Sequence, residues 1–132
     1  MNKLKAKITG IEESGSLSIV WLNVNDIILN AIIIENKSSA NYLEIDREVE
    51  LLFKETELIL SKVEPLNLSI SNSIPGIVDS ISYGSLLSKV NLSTAAGALI
   101  AILPSHSLKP LNLEKGNLVY GLIKTNEILL SN

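Results

Sequence analysis

The segments LLFKETELIL (residues 51–60) and GLIKTNEILL (residues 121–130) are two versions of one apolar run, and they lie 70 residues apart in the chain. Each places a single lysine, Lys54 or Lys124, at its fourth position. A lysine inside a strand-like run is costly to desolvate, so its repetition needs an explanation. Two interpretations are open: both lysines bind the same kind of ligand, or both side chains simply extend to reach water.

The relation between these segments extends over nearly the whole chain. Residues 2–62, aligned without a gap on residues 72–132, give 17 identities in 61 positions. A repeat of this kind indicates the tandem duplication of one small unit. We therefore expect two domains, residues 1–64 and 65–132, with Pro65 interrupting any helix in the connection between them.

Within each repeat the hydrophobic pattern has the period of a β-strand. The segment KLKAKITGI (3–11) alternates between polar and apolar residues, while NAIIIE (30–35) and ALIAIL (98–103) are typical of buried strands. Helical character is limited to SANYLEIDR (39–47) and SLKPLNLEKGN (107–117). Turns are predicted at residues 14–16, 25–26, 84–85 and 95–97.

Five short strands and one helical turn in each repeat predict an all-β fold of two tandem OB-fold-like five-stranded barrels. The runs 49–61 and 118–131 each read as two short strands or one bent strand. A single unit of this size buries little apolar surface, so we expect the two copies to pack together or the chain to form oligomers.

Composition argues against several classes of partner and location. The net charge is −3 and aromatic residues make up 4% of the chain, so neither a basic surface nor stacking platforms for nucleic acid are expected. No apolar run resembles a signal peptide or approaches the length of a membrane span. We expect a cytoplasmic protein that binds neither nucleic acid nor membrane.

The sequence offers no catalytic constellation. It has no cysteine and one histidine, His106, which lies in a Pro-Ser-His-Ser turn, and its acidic residues are scattered over polar segments. A nucleophile–base pair or a metal cluster would need such residues in combination. We therefore expect a binding protein rather than an enzyme, with no bound metal ion and no covalent cofactor.

The second repeat carries motifs of a known family. It opens with SISNSIPGIV (69–78) and closes with GNLVYGLIKTNEILL (116–130), with Ser107 between them. This resembles the molbindin (Mop, TOBE-like) molybdate-binding domain, which opens with Ser-Ala-Arg-Asn and closes with Ile-Lys-Ala-Thr. The matching residues are Ser69, Asn72, Gly76, Ser107, Leu111, Leu113, Gly116, Val119, Ile123 and Lys124.

The first repeat matches the same motifs less completely. Asn2 matches the opening motif, while Lys54 and Thr56 match the closing one. Lys37 occupies the position of the family's serine, with Ser38 beside it. Two such repeats in one chain resemble the tandem di-Mop form of the family.

The resemblance implies a function and an assembly. It implies cytoplasmic binding of intact molybdate or tungstate for molybdenum storage and homeostasis, with sites at domain or subunit interfaces and a homo-oligomer, favoured to be a trimer. A tetrahedral dianion needs convergent hydrogen-bond donors and usually a cation. The residues implied to bind it are Ser69, Ile70, Ser71, Asn72, Lys124, Lys54, Ser107, Asn2, Ser38 and Thr56.

The chain departs from the family pattern at positions that bear on the ligand. Ser71 and Met1 stand where the family has arginine, and Glu55 follows Lys54 where it could repel an anion or form a competing ion pair. These departures predict weaker binding, fewer occupied sites or a changed ligand, and unequal occupancy of the two copies. They also leave an alternative open: a ligand-free interaction or regulatory module that partners a molybdate transporter or regulator.

Overall fold

The computed structural model describes all residues from 1 to 132. Its two repeats share the same order of five strands, with a 3-10 turn before the fifth, and the second repeat has further helical turns between its third and fourth strands. The elements of the first repeat are β1 (Asn2–Ser14), β2 (Leu17–Val24), β3 (Ile27–Ile33), β4 (Glu48–Phe53), η1 (Glu55–Glu57) and β5 (Ile59–Ser61). Those of the second are β6 (Asn72–Ser82), β7 (Leu87–Thr94), β8 (Gly97–Pro104), α1 (Ser105–Leu108), η2 (Lys109–Leu111), β9 (Leu118–Ile123), η3 (Thr125–Glu127) and β10 (Leu129–Ser131).

These elements confirm the predicted strand pattern and its turns. The runs 49–61 and 118–131 each form two strands separated by a 3-10 turn. Asn25 and Asp26 join β2 to β3 as a two-residue hairpin loop, and both have positive φ angles, of 51° and 72°. Such loops favour Asn and Asp because these residues tolerate the positive φ angles that the turn requires.

Helical structure forms in only one of the two predicted segments. Residues 105–111 contain α1 and η2, whereas residues 39–47 make isolated turns without a helix. The Asn36 side chain accepts hydrogen bonds from the backbone N–H groups of Ser38 and Ser39. Local side-chain bonds of this kind favour a turn over a continuing helix. The expectation of helical character in residues 39–47 is therefore wrong.

The two five-stranded sheets exchange their last strands. One sheet has the order β10-β4-β1-β2-β3, and the other has the order β5-β9-β6-β7-β8. Leu129 of β10 pairs with Leu52 of β4, and Ile59 of β5 pairs with Leu122 of β9. The predicted boundary between residues 64 and 65 thus separates the sequence repeats, while the hydrogen-bonded sheets cross it.

Equivalent β-bulges bend the first strand of each repeat. The register of β1 against β2 shifts between Ile8 and Gly10, and that of β6 against β7 shifts between Val78 and Ser80. A bulge increases the local twist, which lets one long strand pair with different neighbours along its length. β1 and β6 are accordingly the central strands of the two sheets.

One apolar core serves both repeats. The buried residues form a single cluster of 26 side chains drawn from both halves of the chain. Leu4 of β1 packs close to Gly97 of β8, and Leu58, beside the exchanged β5, packs over Gly121 of β9. A Cβ on Gly121 would lie 2.9 Å from the Leu58 side chain, so glycine provides the space for this approach. No helix is long and apolar enough to cross a membrane.

Candidate functional site

Three chain segments meet where the two repeats join. Asn72, the first residue of β6, pairs with Ile123, the last residue of β9. Ser71 and Lys124 are therefore the next residues beyond this pair, one on each segment. η3, which follows Lys124, packs against β3 of the first repeat, and β3 also contacts β6. Residues from both repeats therefore surround this point, which we call the Asn72 junction (Asn30, Ser71, Asn72, Lys124 and Thr125).

The Asn72 side chain fastens β3 to β6. Its Oδ1 accepts a hydrogen bond from the backbone N–H of Asn30 at 2.8 Å, and its Nδ2 donates to the Asn30 carbonyl at 2.9 Å. Asn72 is fully buried. A buried amide with a donor and an acceptor both paired holds the neighbouring backbone in a fixed position. The two repeats are thus connected through one carboxamide at this junction.

The Asn30 side chain extends this network toward the surface. It is only 6% exposed, and its Nδ2 donates to the Ser71 Oγ at 3.0 Å. Ser71 itself is exposed. Because the Ser71 oxygen accepts from Asn30, the hydroxyl hydrogen remains available to donate to another acceptor.

An equivalent junction forms where β1 of the first repeat meets β8 of the second. The Asn2 side chain donates to the Ile100 carbonyl at 2.9 Å and accepts from the Ile100 N–H at 2.9 Å. β1 contacts β8, and η1 packs against β8 in the same way as η3 packs against β3. We call this the Asn2 junction (Met1, Asn2, Lys54, Glu55 and Ile100).

The two lysines of the repeated run occupy equivalent positions at these junctions. Lys54 has φ −73° and ψ 147°, and Lys124 has φ −67° and ψ 145°. Their carbonyls accept from the N–H groups of Glu57 and Glu127, each at 3.0 Å. Both lysines are exposed, and neither forms a salt bridge. Their ammonium groups are consequently free to meet an external anion.

The electrostatic environment differs between the junctions. Glu55, next to Lys54, accepts from the α-ammonium of Met1 at 2.8 Å. That hydrogen bond lowers the pKa of the Glu55 carboxyl, with smaller contributions from its own backbone N–H and from the positive charge of Lys89. The corresponding residue beside Lys124 is the uncharged Thr125. A carboxylate thus stands beside Lys54, and none occupies the same position beside Lys124.

The remaining predicted residues lie outside these hydrogen-bond networks. Ser69 is exposed and Ile70 half-buried in the connection before β6, and Thr56 is exposed in η1. Ser107 is exposed in α1, while Ser38 lies in the turn built on Asn36. None of their side chains hydrogen-bonds to a residue of either junction. The structure brings together Ser71, Asn72 and Lys124 at one junction, and Asn2 and Lys54 at the other.

Sequence reasoning missed Asn30. It lies at the start of the apolar run NAIIIE, where a polar residue in a buried strand is unusual. Its counterpart in the second repeat is Ile100, so the exchange of a polar for an apolar residue was the available signal. The partner that explains its burial, Ser71, is 41 residues away in the chain.

The groups at the Asn72 junction are suited to an anion. The Ser71 hydroxyl and the Lys124 ammonium can donate to a ligand, whereas the buried amides of Asn30 and Asn72 donate to Ser71 and to the Asn30 carbonyl. No group of three or more His, Asp or Glu side chains is arranged to hold a metal ion. The junction can therefore present donors and one positive charge to an oxyanion without coordinating a cation.

Comparison with known proteins gives a structural match without a sequence match. No family profile matches the chain, and no curated protein matches it. Among solved structures it is similar to ModG, a cytoplasmic molybdate-binding protein crystallised with molybdate bound. The TM-score is 0.88 at 20% identity, covering 98% of this chain and 94% of ModG. This similarity confirms the predicted all-β fold of two OB-fold-like units.

Proposed function

We propose that the chain binds molybdate or tungstate as an intact oxyanion at the junctions between its repeats. The observation that carries the proposal is the Asn72 junction, where Lys124, which forms no salt bridge, and Ser71, whose hydroxyl accepts from the buried Asn30 amide, are the next residues beyond the paired residues Ile123 and Asn72. This donor set matches what a tetrahedral dianion requires.

The hydrogen-bond donors, rather than net charge, would supply much of the binding free energy. One lysine leaves part of a dianion's charge uncompensated, so neutral donors must contribute the rest. We propose that the Ser71 hydroxyl and the backbone N–H groups of Ile70 and Ser71, which precede the Asn72–Ile123 pair, supply these donors together with Lys124. The overall charge of −3 does not oppose binding, because distant charges are screened by salt while local donors are not.

Two similarities support molybdate over other oxyanions. The sequence motifs around Asn72 and Lys124 resemble those of the molbindin domain, and the fold is similar to that of the molybdate-binding ModG over nearly the whole chain. In keeping with these relatives, we propose a role in cytoplasmic molybdenum storage and homeostasis. The working unit would be a homo-oligomer, with a trimer favoured, built from chains of two domains.

A second candidate function is a regulatory module without a ligand, and the missing arginine favours it. Ser71 and Met1 replace that arginine at both junctions, so each lacks a strong bidentate donor. Such a module would use the same fold to pair with a molybdate transporter or regulator. It would gain no stability from molybdate.

The test is a thermal unfolding series of the full chain with molybdate, tungstate, sulfate or phosphate. A binder is stabilised in proportion to the ligand concentration above its Kd, so molybdate or tungstate should raise the Tm more than sulfate or phosphate at equal concentration. The double variant Lys54→Ala/Lys124→Ala should lose this effect, whereas Lys115→Ala, an exposed lysine of the same charge, should retain it.

The thermal unfolding series, combined with native mass spectrometry, separates the two candidate functions. Native mass spectrometry of the chain with molybdate would then show discrete added masses and give the oligomeric state. A folded oligomer whose Tm and mass are both unchanged by molybdate would refute oxyanion binding and favour the regulatory module.

A further inference from the structure

We infer that the two junctions are unequal and that only the Asn72 junction is built to bind the oxyanion. The inference rests on the proposed function and narrows it. The duplication makes the comparison direct, because each residue of one junction has a counterpart 70 positions away at the other. The backbone frame is the same in both, as the paired amide bonds of Asn2 and Asn72 demonstrate. The difference lies in the side chains placed on that frame.

The first difference is the residue whose backbone N–H and C=O bind the asparagine side chain. At the Asn72 junction it is Asn30, which donates to Ser71, and at the Asn2 junction it is Ile100, which has no polar side-chain atom. Asn30 acts through Ser71: it donates to the hydroxyl oxygen and leaves the hydroxyl hydrogen available to an external acceptor. We assign Asn30 as a positioning residue supplied by the first repeat to a site in the second.

The second difference is the donor that Asn30 orients. Ser71 has Met1 as its counterpart, so the Asn2 junction has a thioether in place of the hydroxyl. A thioether sulfur accepts hydrogen bonds weakly and donates none. The Asn2 junction therefore lacks both members of the Asn30–Ser71 pair.

The third difference is charge. Glu55 places a carboxylate beside Lys54, where it is ion-paired with the Met1 α-ammonium, while Thr125 places a hydroxyl beside Lys124. At close range a carboxylate and a dianion repel each other, and the effect is strongest where few waters intervene. Glu57 and Glu127 are present at both junctions and so do not distinguish them. The first two differences favour the Asn72 junction, and at the Asn2 junction the additional cation, the Met1 α-ammonium, is already engaged by Glu55.

The duplication also supplies the experiment, because the same substitution can be made at each junction. Molybdate binding to the full chain would be measured by equilibrium dialysis, with urea unfolding of every variant as a check on folding. Ser71→Ala changes an exposed side chain and should weaken binding by about tenfold or more, as loss of a hydrogen bond to a charged ligand does. Lys124→Ala should weaken it at least as much, and by a much larger factor than Lys54→Ala does.

Two further variants test the positioning role and the charge. Asn30→Ile copies the Asn2 junction and should weaken molybdate binding as much as Ser71→Ala, and combining the two should weaken it no further, because Asn30 acts through Ser71. A merely structural role for Asn30 would instead give additive losses. Thr125→Glu places an unpaired carboxylate beside Lys124 and should abolish binding, while Ser85→Glu, which adds the same charge in the exposed loop before β7, should not.

The outcomes separate the inference from the function on which it rests. Equal losses in Lys54→Ala and Lys124→Ala, or two equivalent junction sites in each chain, would overturn the inference and leave oxyanion binding intact. Wild-type chain that retains no molybdate would overturn the proposed function and the inference together.

Discussion

Two asparagines connect the repeats by equivalent side-chain hydrogen bonds. They show how a buried polar group can determine the packing of one repeat on the other. Asn2 and Asn72 each satisfy one N–H and one C=O of a strand in the other repeat. An apolar residue in either place would fill the volume but leave both backbone groups unpaired. The cost of an unpaired buried group makes alternative packings of the two repeats unfavourable.

Replacing Asn72 should therefore destabilise the whole fold. Asn72→Ala leaves the N–H and C=O of Asn30 without partners, and we expect the free energy of unfolding to fall by about 2 to 4 kcal/mol. Urea unfolding monitored by circular dichroism measures this change. Asn67→Ala, in the exposed connection, is the matched control and should change stability little. A loss as small as that of the control would show that the clamp contributes no stability.

A tyrosine gives the fold a measurable response to alkaline pH. Burial, then the negative charge of Glu35, then its hydrogen bond to the Glu35 carboxylate raise the pKa of Tyr42 above its usual 10.0. The folded state thus holds the phenol proton more tightly than the unfolded state. Its contribution to stability is present below pH 10.0 and is lost as pH rises through the folded pKa.

This linkage predicts a difference between wild type and Tyr42→Phe. Between neutral pH and pH above 10.0, wild type should lose more stability than Tyr42→Phe, because the phenylalanine variant has no proton to release at this position. Urea midpoints at the two pH values measure the difference. Tyr83→Phe, at an exposed tyrosine, should behave as wild type, and equal pH dependence in all three proteins would refute the linkage.

At the scale of elements, the sequence predicts the strands better than it predicts their partners. Alternation gave β1, and the two-residue turn at Asn25–Asp26 gave the β2–β3 hairpin, because both signals are local. The exchange of β5 and β10 has no such signal. Their sequences, ILS and LLS, are nearly the same, so either strand fits either sheet by its side chains. The path of η1 and η3 over the other repeat decides the pairing, and that is a property of the assembled chain.

The strand exchange predicts that a destabilising substitution in the last strand of one repeat increases amide hydrogen exchange in the other repeat. Leu60 of β5 pairs with Gly121 of β9, and Leu130 of β10 pairs with Leu51 of β4. Leu60→Ala removes buried apolar surface beside β9, so the amides of β9 should exchange with solvent faster than those of β4. Leu130→Ala should give the opposite pattern. Faster exchange in β4 than in β9 for Leu60→Ala would contradict the sheet order.

For the molecule as a whole, only part of the candidate site can be predicted from the amino-acid sequence. The duplication identified Lys54, Lys124, Asn2 and Asn72 because repetition itself marked them. Asn30 was not predicted, because its role depends on Ser71. The two residues come together only when the two repeats pack. The same packing gives Asn72 its clamping hydrogen bonds, a role that the opening motif alone does not reveal.

The shared core and the exchanged strands together predict how a single repeat behaves. Residues 1–64 alone would retain β1 to β5, but β4 would lose β10 and β5 would lose β9. The Asn2 clamp would also lose Ile100. Since the two repeats are equivalent, a second copy of residues 1–64 can supply every missing partner: its β5 would pair with β4, and the backbone of its Asn30 would meet Asn2.

We therefore expect residues 1–64 to be unfolded when dilute and to form a strand-exchanged dimer when concentrated, as domain swapping allows. A folded monomer would instead need residues 54–58 to give up η1 and turn β5 back onto its own β4, which would leave the Asn2 amide and the apolar face toward the missing repeat uncovered. Sedimentation equilibrium with circular dichroism over a range of concentrations distinguishes these states. We expect a β-rich circular dichroism signal that increases as the fraction of dimer increases. A folded monomer at all concentrations would show that each repeat folds as an independent domain.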